Sequence, residues 1–186
     1  MNNRLFTCAG GATGVWRIAQ MKTIVGEPLP QVEFLNITSE TLSAAPGTQW
    51  LLRGITSNER YVERDEKNRL AAKQPALGRP EAVRAALIPI RKNALWWSLT
   101  QDERRKVFER QSHHIDIGLR YLPAVARRLH HCRDLGENEP FDFLTWFEYA
   151  PGDEAAFNTL LTELRASQEW TYVDREIDIR LARDPA

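Results

Sequence analysis

All four histidines of this 186-residue chain fall in two adjacent pairs, His113-His114 and His130-His131. The same stretch carries Arg120, Arg127, Arg128 and Arg133, and one of the two cysteines, Cys132. Imidazole is the commonest metal ligand and the proximal ligand of many haem proteins, so this concentration points to a metal or a haem before acid–base work. Neighbouring residues on a helix project about 100° apart, so neither pair closes easily on one ion. A zinc site would need more thiols or imidazoles at tetrahedral spacing, and only Cys132 is near. A single imidazole serving a flat, apolar cofactor fits better, with exposed or core histidines of no ligand role as the bland alternative. The working assignment is His114 as iron ligand, with Arg127 across the cofactor from it.

That assignment demands a reversal of the chain. On one unbroken helix, His114 and Arg127 would lie about 20 Å apart, too far to straddle one cofactor. Gly118 is read as the point where direction changes, and Pro123 as the first turn of a new helix over Pro123–Cys132. In that helix Leu122, Val125, Ala126 and Leu129 would face the core. Helical periodicity does not choose Arg127 over Arg128. Upstream, Thr100-Gln101-Asp102-Glu103 is a capping box that starts a helix ending near His113-His114.

The rest of the chain must supply a scaffold. Leu5–Ala9 reads as a strand, and Gly10-Gly11-Ala12-Thr13-Gly14 reads as a tight hairpin, since its spacing lacks a dinucleotide fingerprint. Val32–Ile37, Gln49–Ile55, Val83–Ile90, Phe141–Tyr149 and Trp170–Leu181 read as further strands, with Pro89 placing Val83–Ile90 at an edge or strand end. Residues 61–73, with Ser57 as N-cap, read as a helix. Another follows Pro151-Gly152-Asp153, where Phe157, Leu160, Leu161 and Leu164 recur at helical spacing. This order predicts an α+β fold: a ferredoxin-like antiparallel sheet with helices on one face, pairing as a dimer. The linker-like Ser43–Gly47 divides a small N-terminal part, 1–47, from the remainder, 48–186.

Composition narrows the function class. With 25 basic and 25 acidic residues the net charge is zero, so no global field draws the chain to nucleic acid. No apolar run approaches a membrane span, and the first residues lack the apolar core of a signal peptide, so a cytoplasmic protein without a membrane partner is expected. Six tryptophans are the compositional oddity. Trp96, Trp97, Trp146 and Trp170 lie in the half that holds the histidines, where they suit a core or a planar cofactor.

Taken together, Trp96-Trp97, the capping box, the histidine, Tyr121-Leu122-Pro123-Ala124-Val125 and Arg127 resemble the chlorite dismutase family. So do Asp142–Glu148, Ala156-Phe157-Asn158, Glu169 and the stretch from Ser57 to Tyr61. The resemblance spans roughly Trp50 to Leu181 and is closest to the short, dimeric branch with a reduced N-terminal half. It implies haem b, with its iron, and ferredoxin-like halves forming a dimeric α+β barrel. It makes His114 the proximal ligand, Arg127 the distal arginine, and Glu169 the acceptor of the ligand's other N–H, with Glu148 as fallback. The neighbouring His113 is the other candidate ligand, and the spacing to Arg127 favours His114. Trp96 would pack at the haem, Trp97 near the subunit contact, and Lys92 and Tyr61 near the propionates or the proximal hydrogen bonds. The implied reaction turns chlorite into chloride and dioxygen through an oxoferryl species and transient hypochlorite, which Arg127 would hold. Chlorite and small anions are thus the expected ligands, and a homodimer the expected assembly. The alternatives are a coproheme decarboxylase, which lacks the distal arginine, a non-dismutating haem-binding or peroxidase-like protein, and an α+β interaction module without haem.

Overall fold

A computed structural model describes residues 4–39, 46–56, 59–136 and 138–184. Its eight strands are β1 (Leu5–Gly11), β2 (Trp16–Val25), β3 (Phe34–Thr38), β4 (Thr48–Ile55), β5 (Arg84–Lys92), β6 (Ala126–His131), β7 (Phe143–Tyr149) and β8 (Val173–Ala182). They close into one barrel in the order β1-β3-β2-β8-β5-β7-β6-β4, with every neighbouring pair antiparallel. β1 sits between β3 and β4, and β5 sits between β7 and β8, so both halves of the chain repeat one strand order.

The halves differ in their connections. In the first, residues 12–15 alone join β1 to β2. In the second, α2 (Ala94–Ser98), α3 (Gln101–Arg105) and α4 (His114–Arg120) lie between β5 and β6, and α5 (Glu154–Arg165) lies between β7 and β8. A further helix, α1 (Arg64–Lys73), links the halves. The expected sheet with helices on one side is therefore corrected in its closure: β2 pairs along β8, and Ile55 meets His131 between β4 and β6.

Strand alternation builds the core. Cys8, Leu35, Leu52, Ala85, Leu87, Leu144, Trp146, Ile177, Ile179 and Leu181 meet inside the barrel. On the outer face Ala86, Ile88, Ile90, Phe147 and Tyr149 pack against Phe157, Leu160, Leu161 and Leu164 of α5. β5 is buried on both faces, which explains its unbroken apolar run. Filling both layers stabilises the second half by about 1.5–3 kcal/mol per large side chain.

Several expectations are corrected. Residues 10–14 form no hairpin, because β3 lies between β1 and β2. Pro89 is inside a central strand, opposite Leu144; its missing N–H falls where pairing to β8 skips from Leu87–Ile179 to Ile90–Glu176. The helix expected over Pro123–Cys132 is strand β6, because its register with residues 143–148 of β7 outweighs local spacing; Leu129 is exposed rather than core. Gly118 is not a turn but lies within α4, and the chain reverses over residues 121–125. Trp170 precedes β8, in the 3₁₀ turn Gln168–Tyr172. Residues 43–45 of the expected linker and Ser57 lie outside the described residues. The helix after Ser57 instead starts at Glu63, whose side chain forms a capping box with Glu66.

Candidate haem-binding site

The site is built around a break between two helices. Thr100 and Glu103 cap α3 as their spacing predicts, with the Thr100 amide donating to Glu103 Oε2 at 2.8 Å. The helix continues as a π-helical turn, Lys106–Gln111, and stops at Ser112. His113 then adopts a left-handed conformation (φ 53°), which is strained for a residue with a side chain and resets the direction for α4. The buried carboxylate of Glu109 takes over the capping: its Oε2 accepts the Ile115 amide at 2.7 Å. This rotation separates the paired histidines. His113 is exposed, with its ring close to Glu109 and Asp116. His114 turns inward, stacked on Phe108 with ring centres 4.3 Å apart.

His114 Nδ1 lies 2.6 Å from Glu169 Oε2. An ionised carboxylate only accepts hydrogen bonds, so Nδ1 carries the proton and Nε2 is the nitrogen left for a ligand. Glu169 is buried and held from three sides. Lys92 Nζ donates to its Oε1 at 2.8 Å, and Ser112 Oγ accepts its backbone amide at 2.7 Å. Burial alone would raise this carboxyl, but the electrostatic pull and the hydrogen bonds of His114 and Lys92 outweigh it and hold the group near 2. Lys92, itself 5% exposed, also sits over the rings of Trp96 (4.6 Å) and Trp170 (5.5 Å). Glu148 is elsewhere: it accepts from the Gly78 amide at 2.5 Å and from Trp146 Nε1 at 2.9 Å.

An aromatic wall continues from this network. Tyr61 meets Trp96 edge-on at 6.1 Å and Phe108 at 5.9 Å, and Trp96 meets Tyr172 at 5.6 Å. Trp96 is almost fully buried, yet its indole N–H has no hydrogen-bond partner among the described residues. Trp97 points another way, donating to Asp142 Oδ2 at 3.2 Å and stacking on Phe143, with Arg133 over its ring at 4.2 Å.

Arg127 comes from the outer face of β6, opposite Phe147. A strand sends successive side chains to opposite faces, so Arg127 and Arg128 part company, and Arg127 is the one turned toward the helices. No acid among the described residues pairs with its guanidinium, which burial pushes down to about 10. It remains charged at neutral pH. The guanidinium rests on Gly118, one helical turn after His114: a Cβ built there would lie 2.0 Å from Nη1. Gln74 Nε2 fixes the same strand by donating to the Arg127 carbonyl at 3.0 Å.

His114, Glu169, Lys92, Trp96 and Tyr61 thus form one cluster, to which Arg127 is brought through α4, while Trp97 stands beside it. The other histidine pair has no part in it. His130 Nδ1 is 2.9 Å from Thr56 Oγ1 and its ring stacks on Phe6, while burial pushes His130 down to about 3 and His131 to about 4. Sequence reading missed the site roles of Phe108, Ser112 and Gln74. Only a glycine inside a helical stretch, at 118, left a trace that could have been followed.

Comparisons with known proteins agree with this arrangement. The family model described as chlorite dismutase matches residues 31–184. A chlorite dismutase of Ideonella dechloratans is 36% identical over 123 residues, 65% of this chain and 40% of that protein, so the chain spans well under half of this relative's length. A dimeric chlorite dismutase from Nitrobacter winogradskyi has a crystal structure 54% identical in sequence, covering 96% of this chain and 99% of its own, with a TM-score of 0.88. A chlorite dismutase from Candidatus Nitrospira defluvii, 26% identical, covers 74% of this chain and 56% of its own at a TM-score of 0.59. With its barrel, its anchored imidazole and a match over most of its length, this chain belongs to the chlorite dismutase family.

Proposed function

We propose that this chain is a haem b-dependent chlorite dismutase, converting chlorite to chloride and dioxygen as a cytoplasmic homodimer. The observation that carries the reading is the His114–Glu169–Lys92 network, which orients one imidazole and leaves its Nε2 free, while Arg127 of β6 carries a guanidinium with no acid partner among the described residues. The residues also fit a haem. The aromatic wall suits a flat ring, and the buried, unpartnered Trp96 N–H is a donor suited to an anionic group such as a propionate. The dimeric relative from Nitrobacter winogradskyi supports the homodimer. Two buried free cysteines, Cys8 and Cys132, accord with a reducing compartment. The repeated strand order supports two ferredoxin-like parts, a reduced 1–47 and a haem-binding 48–186, that share one closed sheet.

Haem b, bound through His114, would supply the iron at which oxygen leaves chlorite. The protein's own groups then set the conditions. Glu169 keeps the proton on Nδ1 and makes the imidazole a stronger donor, while Lys92 prevents Glu169 from taking that proton outright. Arg127, charged and without an acid partner among the described residues, would hold an anion such as chlorite, or the hypochlorite left from it, by charge and its planar fork of N–H donors. It is also the residue that disfavours a coproheme decarboxylase.

Purified protein should show a Soret band and the pyridine haemochrome of haem b, and an oxygen electrode should register dioxygen on addition of chlorite. Holoprotein that evolves no oxygen would sink the dismutase reading and leave a haem-binding or peroxidase-like protein. Protein that takes up no haem would leave an interaction module.

A further inference from the structure

Glu109, His113 and Asp116 each bring one ligand atom to within 4.8 Å of the others, at the helix break before His114. Two carboxylates, not a second imidazole, complete this group, so the spacing of the histidines does not reveal it. Glu109 lies in the π-helical turn, where its Oε2 accepts the Ile115 amide at 2.7 Å. His113 follows in its left-handed conformation, its amide donating to the Glu109 carbonyl at 2.9 Å, and Asp116 lies in the first turn of α4. Two features ask for a cation among them. Glu109 is only 7% exposed, yet it forms no ion pair among the described residues, and a buried carboxylate without a counter-charge is costly. Arg105, within its electrostatic reach, is held instead by Glu63 at 3.2 Å and Glu66 at 2.7 Å. Asp116, for its part, has only an exposed pair with Arg69 at 3.1 Å, which contributes little.

We propose that Glu109, His113 and Asp116 form a second metal site, separate from the haem, that takes a divalent transition-metal ion such as zinc. The donor set selects the ion. Calcium and magnesium prefer oxygen alone, whereas an imidazole with two carboxylates suits zinc and its neighbours, leaving a fourth position to water. The site stands clear of the cofactor. Successive residues of α4 turn by about 100°, so Asp116 lies about 200° round the helix from His114, toward Arg69 of α1. His114 is held inward by Glu169, a group of the chain itself. Filling the haem site therefore neither uses nor displaces the three ligands. The ion would clamp the π-helical turn to the start of α4, stiffening the segment that presents His114. This site does not depend on the dismutase reading.

Zinc is the probe, titrated calorimetrically into tag-free holoprotein first freed of loose metal with a chelator. One zinc per chain should bind in the micromolar range, and a hundredfold excess over Kd should raise Tm by about 5–10 °C. His113→Ala and Asp116→Asn should each weaken zinc about tenfold or more, since even outer-shell losses cost about 10- to 100-fold, and should leave the Soret band unchanged. Glu109→Gln is the conservative variant: its amide oxygen can still accept the Ile115 N–H, but the charge is gone, and zinc should weaken as much. Arg69→Ala should tighten zinc about two- to fivefold, because Asp116 then has no ion pair to give up. Wild-type protein that binds no zinc at 100-fold higher concentration overturns the site. So does zinc that binds His113→Ala as tightly as wild type, or Arg69→Ala no more tightly. Protein that takes up no haem removes the haem reading alone; the same titration in His114→Ala, where that imidazole cannot answer, still judges the three ligands.

Discussion

Two buried carboxylate networks lie side by side in this protein, joined at one residue pair. Under α5, Glu176 and Asp178 project from the outer face of β8 and are met by Arg165 (2.6 Å to Glu176, 3.0 Å to Asp178), Arg180 (2.5 Å to Asp178) and the indole N–H of Trp170 (2.8 Å to Glu176). One residue before Trp170, Glu169 is met by Lys92 and His114. In the first network two acids face two guanidiniums and the remaining indole donor also finds an acid; it can only hold α5 to the barrel. In the second, the chain stops short of closing. Among the described residues one imidazole nitrogen is left without an assigned partner, the Trp96 N–H is unpartnered, and the Arg127 guanidinium meets no acid. Closed charge networks serve the fold, and an open one is what a ligand can complete.

The sharpest break in that contrast is removal of the imidazole. His114→Ala should abolish the Soret band, whereas His113→Ala should keep it; the reverse result would move the ligand to His113. Arg165→Ala should do the opposite, leaving the spectrum alone but costing about 3–5 kcal/mol of stability, because buried Glu176 loses its guanidinium while Asp178 keeps only Arg180. Denaturant unfolding measures this, and a loss below 1 kcal/mol would mean that the network is not structural. Arg127→Ala should lower kcat for chlorite by about 10²–10³, the cost of removing one preorganised charge, with little change in Tm since it forms no ion pair among the described residues. Arg127→Lys should fall between, as the charge survives without the planar fork.

Acid separates the networks more gently. Glu169 is held near 2 instead of its usual 4.5, so its contribution, about 3 kcal/mol, is complete above pH 4.5 and disappears as pH falls toward 2. His130 and His131 are pushed the other way for a base: they stay neutral in the fold, so stability declines from about pH 6.5 downward as the unfolded chain takes up protons. Urea unfolding between pH 7 and 3 should show both limbs, and Glu169→Gln should flatten the lower one only.

Helices and strands with strong local signatures were legible at once. The Thr100 cap, the α5 stripe and the Ile177-Ile179-Leu181 alternation fall where their spacing put them. So were the residue types of the site, because one imidazole, several tryptophans and a set of short motifs suffice to raise a haem protein of this family. Residues 126–131 show the limit. Their apolar positions match a helix turn by turn, and only pairing with β7, from farther along the chain, makes them a strand. That single decision also settles which arginine faces the helices.

What the sequence determined by itself, then, was the inventory: which groups could bind, donate or hold charge, and which short segments had a period of their own. Tertiary structure decided their company. A π-helical turn and a left-handed His113 sort two identical neighbours into an exposed and an anchored histidine. Glu169 reaches His114 across 55 positions of sequence. Gly118, which locally reads as a bend, lies inside α4, and the reversal falls to residues 121–125. Local pattern encodes backbone preference, but burial, charge and hydrogen bonding depend on which distant segment arrives, and only the closed barrel fixes that.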